Sequence, residues 1–428
     1  MKSTSIAILA AISIFTFSVF AVSPVQWTAP VPDSSLTAAG LPVLGGTTDY
    51  TVYSVGTTLG TFSHGVNMSY ANGIIFATWT SHDGYEGAAG SRVLYSKSID
   101  GGQTWSPAAV IIDSIGTMAD PPATGTALNS RKVEVKNGRM YMLASVRDIT
   151  SWDGTGDDIV PVTTYLGIVG VNLDSNGDPY GPVFWLKDDA PAGHESMEDW
   201  NSLDSATYPY AVEDTKDING ALSGVYHYMS TYDVTASDGA SLTEPTFYTC
   251  KDGQQISLFR TGDEALSLYA AVRADYNSAW SAAEESSIPD SHSLNEATVL
   301  PDGSVVLLGN NTPELYYRDV LVISRSIDGY DFNLAWALRY DPPAIVYKNT
   351  GDHKGTGYQY PGSVLVGDNL WVGYSENKES VGVTKIPLSR IMRPFADLTS
   401  DDAVDYFDFI ETGSFLNDCG DPADPNCI

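Results

Sequence analysis

The sequence predicts an all-β chain closed into a β-propeller of six or seven blades, with seven the preferred count. Three observations carry this. The stretch Ser98-Ile99-Asp100-Gly101-Gly102-Gln103-Thr104-Trp105 reads Ser-x-Asp-x-Gly-x-Thr-Trp, the pattern of an Asp box. Five hairpins of one design recur tens of residues apart, an internal repeat. No long segment of 3.6-residue periodicity competes with them.

The Asp box is a local device. Its carboxylate accepts hydrogen bonds from backbone N–H groups inside the turn, its glycine supplies left-handed backbone, and its tryptophan packs beneath. Such a turn joins the two outer strands of a four-stranded blade, and blades recur around a ring.

The hairpins follow in order, each with a turn that favours positive φ. Asn72-Gly73 separates 66–70 from 74–80, and Asn137-Gly138 separates 132–135 from 140–146. Asp252-Gly253 separates 246–249 from 255–259, and Asp302-Gly303 separates 297–300 from 304–308. Gly367-Asp368-Asn369 separates 363–365 from 370–374. Worn forms of the box stand at Asp275–Trp280, Ser326–Phe332 and Leu173–Gly177, each after its hairpin. A less regular hairpin near Ala221–Ser230 makes six blades, and the chain termini are expected to supply a seventh.

The basic start Met1-Lys2, the apolar run Ile6–Phe20 and the small residues near Ala21 describe a secretory signal peptide over 1–21. The propeller is expected over 22–396, followed by an acidic tail over 397–428. A secreted, extracellular, monomeric protein is expected. The net charge of −31, from 22 basic and 53 acidic residues, argues against nucleic acid and anionic membranes as partners. An anionic ligand would then need its basic contacts concentrated in one pocket. Cys419 and Cys427 are expected to pair, and Cys250 to be a buried, inert thiol. Asn67 and Asn310 begin glycosylation sequons. No Cys/His cluster has zinc spacing. No cofactor is expected to be required. A structural calcium ion on the axis is plausible, although no calcium-loop motif is present.

In a propeller the innermost strand of each blade lines the axis, so residues just before each inner strand stand around one opening. These are His64, Arg131, Tyr208, Glu244, Asn295 with His292, and Gln359-Tyr360. Strand exits on the same face add Arg147, Arg260, Arg318 and His353-Lys354. Three arginines at comparable positions in an acid-rich chain suggest an anion site, and a surface ion pair is the plainer reading of each alone. Glu296 and Asp83 are further carboxylate candidates.

The boxes resemble those of the sialidase-like, BNR-repeat propellers. Three stretches resemble more closely a group of secreted propellers related to rhamnose–glucuronate lyases and rhamnosidases. They are Phe62-Ser63-His64 with Phe76–Trp79 and Gly90–Tyr95; Gly181–Leu186; and Lys354–Pro361 followed by Tyr374–Glu379. Gly65 stands where that group often has a second histidine. A sialidase would be expected to carry an arginine triad, with an Arg-Ile-Pro near the first blade, and a Tyr/Glu nucleophile pair; no Arg-Ile-Pro occurs.

The resemblance implies β-elimination at a glucuronate whose O4 carries rhamnose, at the ends of a plant polysaccharide. Such a lyase needs cations on the carboxylate, a base for the C5 proton and an acid for the leaving oxygen. His64 is then the base, with Tyr360 the alternative acid. Arg147, Arg260, Arg318 and Lys354 would bind the carboxylate. Arg131 and Gln359 would orient sugar hydroxyls, and Tyr208 and Asn295 complete the expected binding ring. A glycoside hydrolase (rhamnosidase or sialidase-like) and a non-catalytic glycan-binding propeller remain open.

Overall fold

The computed structural model describes residues 25–392 apart from 57, 115–117, 137, 156–158, 186–197, 200–233, 263–264, 276–277 and 350–351. Five sheets form among the described residues. The first comprises Phe62–Ala71, Ile74–His82, Arg92–Ser98 and Ala109–Ile112. The second comprises Gly125–Lys136, Arg139–Asp153, Val160–Leu173 and Pro179–Trp185, with the short Glu198–Asp199 at its edge. Leu242–Thr249, Gln255–Thr261, Ser267–Arg273 and Glu284–Pro289 form the third. Glu296–Val299, Val305–Gly309, Leu321–Ser326 and Asp331–Arg339 form the fourth. Tyr358–Val366, Asn369–Glu376 and Ser380–Pro387 form the fifth, which Thr48–Tyr53 completes as its fourth strand.

All five hairpins read from the sequence are formed, each longer than or shifted slightly from its expected span. The second strands are buried along their central residues on both faces, as sheets covered on both sides require. Ile74–His82 is buried at every position, with Phe76 and Trp79 separated by Ala77 and Thr78.

Polar bonds between neighbouring sheets fix their order. Thr78 donates to the Arg131 carbonyl at 3.0 Å, joining the first sheet to the second. The Ala297 amide donates to the Thr246 hydroxyl at 3.1 Å, joining third to fourth. Thr298 and Ser363 share a hydroxyl contact between fourth and fifth. The Ser63 amide donates to the Lys378 carbonyl at 2.8 Å, closing fifth onto first. The sheets therefore follow one another as third, fourth, fifth, first, second.

This corrects the blade count. The described residues form five blades, not six or seven. The expected hairpin near Ala221–Ser230 lies outside the described residues, as do the signal peptide, the acidic tail and Cys419 with Cys427. The N-terminal strand makes no blade of its own: Thr48–Tyr53 pairs antiparallel with Ser380–Pro387, whose outer edge it covers. Both sequon asparagines face inward. Asn310 is fully buried and donates to three carbonyls, while Asn67 donates to the Gly65 and Ser130 carbonyls between two sheets.

The Ser98–Trp105 turn joins the third and fourth strands of its sheet. Asp100 accepts from the amides of Gln103 and Thr104 and from the Ser98 and Thr104 hydroxyls. The Thr104 bonds, with help from Ser98, hold its carboxyl down at about 2. Asp328 accepts in the same way from the Tyr330 and Asp331 amides and the Ser326 hydroxyl. The glycines of these turns press on the preceding sheet. A Cβ on Gly102 would stand 1.9 Å from the Trp371 ring, one on Gly177 2.6 Å from Phe76, and one on Gly329 2.6 Å from the Cys250 sulfur. The Cys250 thiol is buried beneath that turn, and burial pushes it up to about 11.

Two adjacent glycines test this packing. Gly101 and Gly102 both have positive φ, 72° and 86°, but a Cβ on Gly101 meets nothing within 4 Å. Gly102→Ala should destabilise by about 1–3 kcal/mol more than Gly101→Ala, the cost of overpacking against Trp371, read by denaturant unfolding of the two variants.

Candidate active site

Four of the five first strands carry a β-bulge near their start. The irregularities lie between His64 and Asn67, Ser130 and Val133, Thr243 and Thr246, and Gln359 and Gly362. A bulge breaks the pairing and re-aims a side chain. Gly65 carries φ 64°, Glu244 φ 45° and Tyr360 φ 51°. The last two are non-glycine residues in the left-handed region, each followed by proline, which further disfavours helical backbone. Such positions cost about 1–3 kcal/mol each and persist where the surroundings hold them.

The bulges bring Glu244 and Tyr360 together. The Tyr360 hydroxyl lies 3.3 Å from Glu244 Oε1. Arg260, from the end of the second strand of the third sheet, places Nη1 3.0 Å from the same hydroxyl oxygen and 3.1 Å from Glu244 Oε2. His292, with φ 67°, turns its carbonyl inward. That one oxygen accepts from Arg260 Nη1 at 2.9 Å and from Arg318 Nη2 at 2.6 Å. Arg318 also donates to Gln359 Oε1 at 2.7 Å, and its guanidinium carbon stands 5.5 Å from the Tyr360 ring centroid. The Nε of each arginine is buried with no hydrogen-bond partner. Two like charges at one carbonyl, with donor capacity unfilled, make a receptor for an anion.

On the other side of Tyr360, the His64 ring centroid lies 3.9 Å from the phenol ring. His64 Nε2 is 3.2 Å from Glu86 Oε1, and Lys378 pairs with Glu86 Oε2. Lys378 Nζ also stands 5.7 Å from the Tyr360 centroid. Three cations and two carboxylates thus surround one tyrosine, a net positive centre in a chain of charge −31.

Burial raises the Tyr360 phenol, and Glu244 raises it further against the pull of Arg260 and Arg318, so it rests protonated. Burial lowers the His64 imidazole; Glu86 opposes this without cancelling it. Burial pushes the Glu86 carboxyl upward, but Lys378 and His64 outweigh it and hold it well below the usual carboxylate range.

Of the residues expected from sequence, His64, Glu244, Tyr360, Arg260, Arg318 and Gln359 meet here, with the backbone of His292. Gln359 serves differently from the expectation: it is fully buried, its oxygen accepting from Arg318 and its nitrogen donating to the Gly355 carbonyl. Lys354, expected to bind a substrate carboxylate, spends its donors inside the fold. Its ammonium is buried and donates to the Thr61 and Tyr347 carbonyls and to Glu379 at 3.1 Å. Asn295 is likewise internal, donating to the Ser293 carbonyl and accepting from Asn311. Arg131 lies in the bulge of the second sheet, half-buried. Arg147 pairs with Ala127 and Tyr165 in the strand ladder, and no described contact joins it to the cluster. Tyr208 lies outside the described residues. Glu296 pairs with Lys132 at 3.6 Å, and Asp83 is an exposed partner of Arg92. Among the described residues no group of three or more His, Cys, Asp or Glu could hold a metal ion.

Glu86 and Lys378 escaped the sequence reading. Both follow the second strand of their sheets, where Arg260 also stands, so charged residues at strand exits were the available signal. The loop Asp83–Gly90 and the left-handed pair Asn377-Lys378, φ 58° and 55°, carry them inward.

Residues 227–372 match the BNR repeat-like domain. This match spans Glu244, Arg260, Arg318 and Tyr360, and leaves His64, Glu86 and Lys378 outside it. No curated protein matches the sequence. A solved structure named sialidase superposes with a TM-score of 0.65 at 18% identity, over 85% of this chain and 35% of its own. The chain therefore spans about a third of that protein's length, and the likeness is one of fold: a sialidase-like β-propeller. A protein of unknown function from Dyadobacter fermentans gives 0.49 at 13% identity, covering 80% of this chain and 99% of its own. The Trypanosoma rangeli sialidase gives 0.46 at 10%, covering 87% and 61%. The last two scores are too low to argue from.

The buried Lys354–Glu379 pair yields a stability test. Lys354→Met strands Glu379, which also accepts from the Val346 and Tyr347 amides. The variant should lose about 3–5 kcal/mol in denaturant unfolding.

Proposed function

We propose that this chain is a glycoside hydrolase acting on sugars that bear a carboxylate, with Tyr360 as nucleophile. The observation that carries the reading is the Tyr360–Glu244 contact within hydrogen-bond reach of Arg260. It supplies the Tyr/Glu pair that a sialidase would be expected to have, although the Arg-Ile-Pro is absent. It favours hydrolysis over the rhamnose–glucuronate elimination that the sequence resemblance implied.

Each residue has a task. Arg260 and Arg318 take the substrate carboxylate. Glu244 removes the Tyr360 proton as the phenol oxygen attacks the anomeric carbon, and Arg260 steadies the charge growing on that oxygen. Tyrosine is a known nucleophile for glycosidic chemistry on acidic sugars. The bond to the leaving oxygen breaks as that oxygen is protonated by the His64–Glu86 pair, of which Glu86 is the more exposed member, at 30% against 12%. Water then attacks the glycosyl–tyrosine bond, giving its proton to the same pair, and Tyr360 recovers its proton from Glu244. The hydrolysis balances with no other reactant. A purely glycan-binding propeller would use the arginines but has no need of a base beside a tyrosine on strained backbone.

Tyr360→Phe should lower kcat by about 10³-fold or more on an aryl glycoside of an acidic sugar, while Arg318→Met chiefly raises KM. Released reducing sugar without absorbance near ~235 nm separates hydrolysis from elimination. The opposite result, absorbance rising with each bond cleaved, would restore the lyase.

The pH dependence has a definite sign. The His64–Glu86 pair holds its extra proton only below the lowered His64 value. Cleavage of alkyl glycosides should therefore fall as pH rises through the acidic range. Aryl glycosides with good leaving groups need no proton and should lack that fall, as kcat–pH profiles of the two substrates will show.

A further inference from the structure

Glu86 sits on a loop with no regular structure, so something else must fix it. We propose that His82 is a positioning residue that straps this loop and thereby holds Glu86 in the site, a role that rests on the hydrolase reading. His82 ends the second strand of the first sheet and is buried. Its Nδ1 lies 3.2 Å from the Gly84 amide and 3.2 Å from the Tyr85 amide. Its Nε2 lies 3.3 Å from the Ala89 carbonyl. One ring therefore ties the outgoing limb of the loop to the returning limb, with Glu86 between them.

The two amides settle the tautomer. Both point N–H groups at Nδ1, which must be the unprotonated nitrogen, so the proton is on Nε2 and is donated to Ala89. No other neutral side chain of this size offers an acceptor and a donor on opposite sides of a rigid ring. Other hydrogen bonds hold the far end of the loop. The Gly90 amide donates to Thr126, the Ala119 amide to Ala89, and Ser91 returns to Ala88. The Gly84 side of the loop has the His82 ring, and the chain next to it is held by Thr61 donating to the Asp83 carbonyl. Lys378 and His64 pair with Glu86 but sit on other segments, so they select its direction without shaping its backbone. Tyr85 packs edge-on to the His82 ring at 6.2 Å, which adds area but no hydrogen bond.

The test compares His82→Phe and His82→Asn with the parent and with Glu86→Gln. Phenylalanine keeps the ring and loses both polar ends; asparagine can put Oδ1 where Nδ1 stands. Amide hydrogen exchange over residues 83–90 reads the strap without substrate, and kcat and KM on an alkyl glycoside of an acidic sugar read its consequence. In His82→Phe, exchange at Gly84 and Tyr85 should rise, and kcat should fall by about 10²-fold, towards the Glu86→Gln level, with KM little changed. His82→Asn should recover protection and most of kcat. Unchanged exchange in His82→Phe, with the thermal midpoint retained, overturns the strap. Faster exchange with undiminished kcat overturns the positioning role. If the parent cleaves no acidic glycoside, the hydrolase reading fails on its own, and exchange still decides whether His82 holds the loop.

Discussion

Inner strands of a ring of sheets are crowded on both sides, and a side chain at the start of such a strand reaches the centre only where the backbone yields. Here it yields by bulging. The break between Gln359 and Gly362 turns Tyr360 inward, and the break between Thr243 and Thr246 turns Glu244 to meet it. A regular ladder would send alternate residues to opposite faces of the sheet, and a phenol and carboxylate on different sheets would then have no reason to converge. The left-handed backbone at both residues is the energetic trace of that demand. It is borne by the largely buried second strands behind them and by the hydroxyl bonds from one first strand to the next.

The electrostatics follow from the same crowding. Arg260 and Arg318 are held at one carbonyl, His292, whose own backbone is left-handed. In water two guanidiniums would separate. Here Glu244 and Gln359 each hold one of them, and the surroundings keep solvent from screening the pair. The opposite wall answers with Glu86 between His64 and Lys378. Charge is therefore distributed by side: anion-binding groups on the third and fourth sheets, a proton-carrying pair on the first. That division suits a substrate with a carboxylate at one end and a leaving oxygen at the other.

Groups that looked alike in the sequence divide into two kinds once packed. Lys354 and Lys378 both pair with glutamates, but Lys354 is closed in by carbonyls of its own surroundings, whereas Lys378 faces the tyrosine. Asn295 and His292 both precede an inner strand, yet only the His292 carbonyl reaches the site. Neither distinction is a matter of residue type.

The sequence by itself determined the hairpin repeat, the turns that join outer strands and the positions from which the site is built. Turn glycines, apolar second strands and a hydrogen-bonding aspartate are local devices, and local devices are legible in a string. His64, Arg260, Arg318 and Tyr360 were found because ring geometry ties a strand's start or exit to one face. Only the tertiary structure decided that Tyr360 meets Glu244, that Glu86 and Lys378 complete the wall, and that Lys354, Asn295 and Arg147 stand apart. Those relations join residues a hundred or more positions apart on different sheets, and they depend on a bulge of one residue and the tilt of one carbonyl. No spacing along the chain encodes either. The blade count escaped for a related reason: a terminal strand can begin a blade or finish one, and Thr48–Tyr53 finishes the fifth because an unpaired edge was waiting there.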